Sequence, residues 1–195
     1  MRKVLTVVAF SAAFAGQAKA AEDPAAAQVD RFCHAVLQVT AQAGGAGLQA
    51  RTQQLQPLVD KYFDIASMAR FAVGEPWSQW NAADRSVVVS AMSRFTAARY
   101  ASALDVNHGQ QCVVDPAVVT RGPDKLVKSK FVEPGDSTSV NYRLREAGGA
   151  WKVIDVYYEG ASQLVMQRAD FAGIIRDKGA PGLVAKLKEL TAKMR

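Results

Sequence analysis

The chain has 195 residues, 49% of them hydrophobic and 22% charged, with a formal net charge of +6. That balance excludes a disordered chain and suits one domain with a real core, two at most. The charge is too mild and too scattered to argue for nucleic acid, which is read from a concentrated basic patch.

The first residues read as a signal peptide. Arg2 and Lys3 precede the short apolar run Val4 to Ala15, and Ala18-Lys19-Ala20 is a small-x-small cleavage site. Cleavage is expected after Ala20, giving residues 1–20 as signal peptide and 21–195 as a single exported domain. The run is well short of the roughly 20 residues a membrane span needs. Removing Arg2, Lys3 and Lys19 leaves 21 basic against 18 acidic residues, a net charge of +3.

The mature chain begins with helices. Asp23-Pro24 is an N-cap followed by proline at the first helical position, and Phe32, Val36 and Val39 mark one buried stripe. Gly44, Gly45 and Gly47 end this helix. A second carries Leu48, Leu55, Val59 and Tyr62 on one face, with Pro57 expected to kink or restart it. Asp64 caps a short helix through Phe71, stopped by Gly74 and Pro76. Asn81, with Asp84 three residues on, caps a longer one running to about Leu104, and His108-Gly109 marks a turn.

The period then changes from helical to alternating. Four strands are expected at Cys112–Thr120, Lys125–Val132, Thr138–Arg145 and Trp151–Tyr158, separated by turn residues and forming an antiparallel meander. On the last strand Val153 and Tyr157 should share one face, and Ile154, Val156 and Tyr158 the other. Ser162 caps a helix that ends at Gly179, and Pro181 opens a last helix. Helices, a block of strands, then helices is an α+β layout: a four-stranded, mainly antiparallel sheet wrapped by N- and C-terminal helices.

Catalytic motifs are missing from the sequence. It has two histidines, His34 and His108, and neither has a visible nucleophile or carboxylate partner in sequence. No nucleophile elbow, C-x-x-C, H-E-x-x-H or glycine-rich phosphate loop occurs, so no catalytic residue, cofactor or metal is expected. Cys33 and Cys112 support two equal readings, a disulfide in an oxidising compartment or two small buried apolar residues. Asp155 inside an apolar strand and Arg168 on a buried helix face should form a structural ion pair.

Several segments together resemble the MlaC, or toluene-tolerance, family of periplasmic lipid-binding proteins. They are Tyr62-Phe63-Asp64, Met68-Ala69-Arg70, Val73-Gly74 with Trp77, Phe95, and Tyr100-Ala101. The strongest are Val140-Asn141-Tyr142-Arg143-Leu144, Trp151-Lys152-Val153-Ile154-Asp155-Val156 and Glu159-Gly160-Ala161-Ser162, followed by Arg168 and Phe171. Ala72-Val73-Gly74-Glu75-Pro76-Trp77 and Tyr100-Ala101-Ser102 are similar to the hopanoid-associated branch called HpnM.

The resemblance implies a curved, NTF2-like sheet enclosing an apolar pocket for acyl chains of a phospholipid or hopanoid. It implies exchange in the periplasm between an outer-membrane lipoprotein complex and an inner-membrane ABC transporter with an MCE-domain protein. Candidate lipid-binding residues are Phe95, Val127, Phe131, Val140, Tyr142, Trp151, Val153 and Val156. The alternative is an enzyme on the same cone, with Asp155 as acid or base toward a small apolar substrate.

Overall fold

The computed structural model describes residues 22–43, 45–104 and 109–194. The expected signal peptide and His108 lie outside the described residues. Among the described residues, five α-helices and seven strands follow in order: α1 (Pro24–Gln42), α2 (Leu48–Tyr62), α3 (Ile65–Val73), α4 (Ala82–Ala103), β1 (Gln111–Val114), β2 (Val119–Arg121), β3 (Asp124–Val127), β4 (Ser129–Glu133), β5 (Asp136–Ala147), β6 (Ala150–Tyr158), β7 (Ala161–Ser162) and α5 (Gln163–Lys193). A 3-10 turn, Glu75–Gln79, links α3 to α4.

Side-chain oxygens start four of the helices by accepting first-turn N–H groups that have no partner inside the helix. Asp23 Oδ1 accepts from Ala25 at 2.8 Å, Asp64 Oδ1 from Ser67 at 2.9 Å, Asn81 Oδ1 from Asp84 at 2.8 Å and Ser162 Oγ from Val165 at 3.1 Å. Each such cap is worth about 1 kcal/mol. Pro57 neither kinks nor restarts α2 enough to divide it, and the helix runs through from Leu48 to Tyr62. Gly179 does break α5. Its φ of 60° and ψ of −150° are open to glycine and hostile to other residues.

The sheet is the expected antiparallel meander with its first two strands each cut in two. Pro116 lacks an N–H and interrupts the first, separating β1 from β2. Asp115 turns the chain there, its N–H donating to Lys128 O at 2.9 Å and its Oδ1 accepting from Ala117 at 2.8 Å. The second strand breaks at Lys128, between β3 and β4, and both halves pair with β5. Side chains mend the ladder at this break. Ser129 N–H donates to Asn141 Oδ1 at 3.1 Å, and the Ser129 hydroxyl donates to the Val140 carbonyl.

The pairing of β5 with β6 overturns the expected sorting of the last strand. Leu144 faces Val153, but Arg143 faces Asp155, so Ile154 is an extra residue. This bulge moves Val153 onto the same face as Val156 and Tyr158, opposite Leu144, Tyr142 and Val140. The sheet therefore has one apolar inner face. At its far corner the buried Asp124 carboxylate binds Arg143 Nε at 2.7 Å and Arg145 Nε at 2.5 Å. Burial opposes its ionisation, but the bonds from Arg145 and Arg143 outweigh that and hold its pKa below the ordinary carboxylate value.

α1 lies against β1, β3 and β6, while α4 packs between α2 and α5. Phe32 of α1 is the hub of the core. Its ring sits 5.4 Å from Tyr62, 5.1 Å from Phe63, 5.2 Å from Tyr100 and 6.0 Å from Tyr142. One residue on, Cys33 forms a disulfide with Cys112 of β1, with Cα atoms 5.9 Å apart.

Candidate functional site

Beside the inner face of the sheet, with no α1 side chain in its wall, a cavity of about 330 Å³ opens. Its sheet wall is Phe131, Thr138, Val140, Val156 and Tyr158, and its helical wall comes from Met68 of α3, the Thr96 to Leu104 stretch of α4, and Gln163 and Gln167 of α5. Register explains the sheet wall. Thr138 and Val140 share a side of β5, Val140 faces Tyr158, and Thr138 faces Phe131. On α4 the wall-forming side chains at Thr96 and Ala103 are small.

The inner end of the cavity is closed by phenols. Tyr100 and Tyr142 hydroxyls lie 3.2 Å apart. Burial pushes both pKa values up, and at Tyr142 the neighbouring Tyr100 adds to the rise. Both therefore stay neutral, and neither is poised as an acid or base at physiological pH. Tyr158, 49% exposed, stands at the rim.

One side of the cavity is polar. Arg99 Nη2 donates to Gln163 Oε1 at 2.5 Å, and its guanidinium lies 6.0 Å from the centre of the Phe95 ring. Burial lowers the Arg99 pKa from its ordinary value, but an arginine remains charged. Gln167 Oε1 is buried with no hydrogen-bond partner among the described residues.

Of the candidate lipid-binding residues, Phe131, Val140 and Val156 line the cavity. Val127, Tyr142 and Val153 are buried behind it, with Val153 bridged to Phe63. Phe95 is buried beneath Arg99. Trp151 sits at the opposite end of the sheet, 4.6 Å from the Lys125 ammonium. The polar wall, Arg99 with Gln163 and Gln167, went unread in the sequence. Its only local signal is a pair of glutamines four apart at the start of a helix, which is ordinary surface chemistry until the fold buries it.

The expected ion pair between Asp155 and Arg168 does not form. Asp155 accepts from Ser162 Oγ at 2.6 Å, from Leu164 N–H at 3.1 Å and from Val156 N–H at 2.8 Å, so it holds the start of α5. Arg168 donates from Nη1 to Phe71 O at 3.0 Å and covers the Phe71 ring at 5.1 Å, so it holds the end of α3. Each charge goes to the helix terminus of opposite polarity. Gly74 makes room for the guanidinium, because a Cβ there would stand 3.1 Å from Arg168 Nη2.

His34 lies exposed on α1 beside Asp30, with Nδ1 2.9 Å from the Asp30 carbonyl oxygen. Among the described residues no group of His, Cys, Asp and Glu is arranged to hold a metal ion. No described helix is long and apolar enough to cross a membrane. Among the described residues, the cavity offers an apolar wall, one cation and neutral hydrogen-bonding groups.

The fold has a solved counterpart. The phospholipid-binding protein from Ralstonia solanacearum, solved in complex with a phospholipid at 1.53 Å resolution, matches with a TM-score of 0.76. The two are 24% identical, and the match covers 88% of this chain and 98% of that one. At that identity the likeness speaks for a shared fold: an unclosed, curved antiparallel sheet with flanking helices. The family model described as MlaC protein matches residues 28–189. That match takes in the cavity, the sheet and all but the start of α1 and the tip of α5, and the chain belongs to the MlaC family.

Proposed function

We propose that this protein is a periplasmic lipid carrier. In this reading the signal peptide, residues 1–20, is cleaved, and residues 21–195 act as one lipid-binding domain. The cargo is a phospholipid, exchanged between an outer-membrane lipoprotein complex and an inner-membrane ABC transporter with an MCE-domain protein. The observation that carries the reading is the cavity beside the inner face of the sheet, walled by Phe131, Val140 and Val156. Membership of the MlaC family and the phospholipid held by the Ralstonia protein support the choice of cargo.

Magnitudes make this workable. At about 30 Å³ per water-sized group, the 330 Å³ cavity takes roughly ten methylenes. At about 0.8 kcal/mol each, their burial is worth roughly 8 kcal/mol. That offsets the lower half of the roughly 4–15 kcal/mol cost of association. One acyl chain is thus accommodated in large part, and a second requires the helices to part. Binding of this kind needs no covalent chemistry, and the enzymatic alternative is disfavoured by Asp155, whose carboxylate is engaged by three donors at the α5 terminus.

Native mass spectrometry of the protein purified gently from the periplasm tests the proposal. The expected spectrum carries an added mass matching a phospholipid, and the protein accelerates phospholipid exchange between labelled vesicles. Protein that emerges bare and leaves exchange unchanged would refute it.

A further inference from the structure

The cavity has a depth as well as a wall, and one side chain marks where it ends. Along the inner face of β5, Thr138 and Val140 line the open volume, while Tyr142, next inward on that face, is fully buried. The change comes at Tyr100 of α4. Its side chain lines the cavity, and its hydroxyl lies 3.2 Å from that of Tyr142. The phenol thus crosses from the helical layer to the sheet. Behind it the core is packed, with the Tyr100 ring 5.2 Å from Phe32 and 6.1 Å from Phe63, both buried.

Tyr100 is also held more firmly than its neighbours in the wall. Met68 on the helical side is unbranched and can repack around a guest. Tyr100 is fixed at its tip by Tyr142 and at its ring by Phe32 and Phe63, so it can yield only by disturbing the aromatic hub. At the other end the cavity reaches the rim at Tyr158, which is half exposed. A hydrocarbon chain that enters there and grows inward meets a rigid obstruction at Tyr100.

We propose that Tyr100 is the chain-length stop of the cavity, so that the protein grips about ten carbons of an acyl chain and gains nothing from those beyond. The inference rests on the carrier reading and adds a specificity for the chain in which the head group takes no part. Each carbon short of the stop adds buried methylene surface and should tighten binding about fourfold, and each carbon past it stays outside.

The test is a calorimetric titration of the lipid-free mature protein with octanoyl, decanoyl, lauroyl, myristoyl and palmitoyl lysophosphatidylglycerol, below micelle formation. One chain and one head group leave chain length as the only variable. Wild-type affinity should rise about fifteenfold from octanoyl to decanoyl and change less than about twofold from lauroyl to palmitoyl. The void left by the phenol takes about three more methylenes, so Tyr100→Ala should carry the steep rise on to myristoyl. Tyr100→Leu keeps more of the packing and serves if the alanine variant does not fold. It should strengthen lauroyl binding about fourfold and leave octanoyl binding unchanged. Tyr100→Phe loses the bond to Tyr142 but keeps the ring, and its break should stay where wild type has it.

Wild-type affinity that climbs evenly from octanoyl to palmitoyl overturns the stop. So does a break that neither Tyr100→Ala nor Tyr100→Leu moves, or one that Tyr100→Phe abolishes. In each of these cases lipid is still bound and the carrier stands. Wild type that binds no member of the series and leaves vesicle exchange unchanged removes the carrier reading itself.

Discussion

The inner face of the sheet meets two different fates along its length. At the Leu144 and Val153 end it is packed solid. Phe32 and Phe63 fill the space, and Leu144, Tyr142 and Val153 are essentially inaccessible to water. At the Val140 and Tyr158 end the same face borders open volume. Thr138 apart, the strand residues are apolar in both halves, so the difference lies in what stands opposite. α1 and the α2–α3 junction supply aromatic rings to one half. α3, α4 and α5 supply Met68, the small Thr96 and Ala103, Arg99, Tyr100, Leu104 and two amides to the other, and these leave volume between them. An unfilled interior is thus made by the covering helices, not by the sheet.

Mutations can break this comparison at either end. Phe32→Ala should do the most damage, lowering the unfolding free energy by about 4 kcal/mol in urea titrations because it empties the hub of the packed half. Reduction of the Cys33–Cys112 bond, which closes a sequence separation of 79, should lower stability by about 3 kcal/mol in melts with and without reductant. Val140→Phe, aimed into the open half, should have the smallest effect on stability. It should be neutral or stabilising by up to about 1 kcal/mol, as fillings of real voids are, while phospholipid recovered with the protein falls several-fold. A loss of 1–3 kcal/mol, the usual result of overpacking, would mean that the two halves do not differ as described.

The packed half was largely legible in the sequence. Caps at Asp23, Asp64, Asn81 and Ser162 are local devices, and the stripe of Phe32 and Val36 is a local period, so both can be read without knowing the fold. The α+β order and the strand positions follow from the same kind of signal. Local signals mislead where one residue changes a count or a partner. Ile154 is absorbed as a bulge, and strict alternation then sorts Val153 to the wrong face. Charge alone matches Asp155 to Arg168, whereas helix termini, invisible as charges in a sequence, take both. The cavity was read only in part, through Phe131, Val140 and Val156. Its helical side depends on how α3, α4 and α5 converge from distant parts of the chain, and no local pattern reports that convergence.

The disulfide has a mechanical consequence. Cys112 is paired across the sheet with Phe131, a wall residue of the cavity, and is bonded to the neighbour of Phe32. The floor of the open chamber is therefore riveted to the densest part of the molecule. Enlargement for a bulkier guest must come from the roof, by α3, α4 and α5 lifting away, while the floor keeps its shape. Distance measurements between labels on α5 and β5 should then lengthen with cargo size, and those between α1 and β1 should stay fixed.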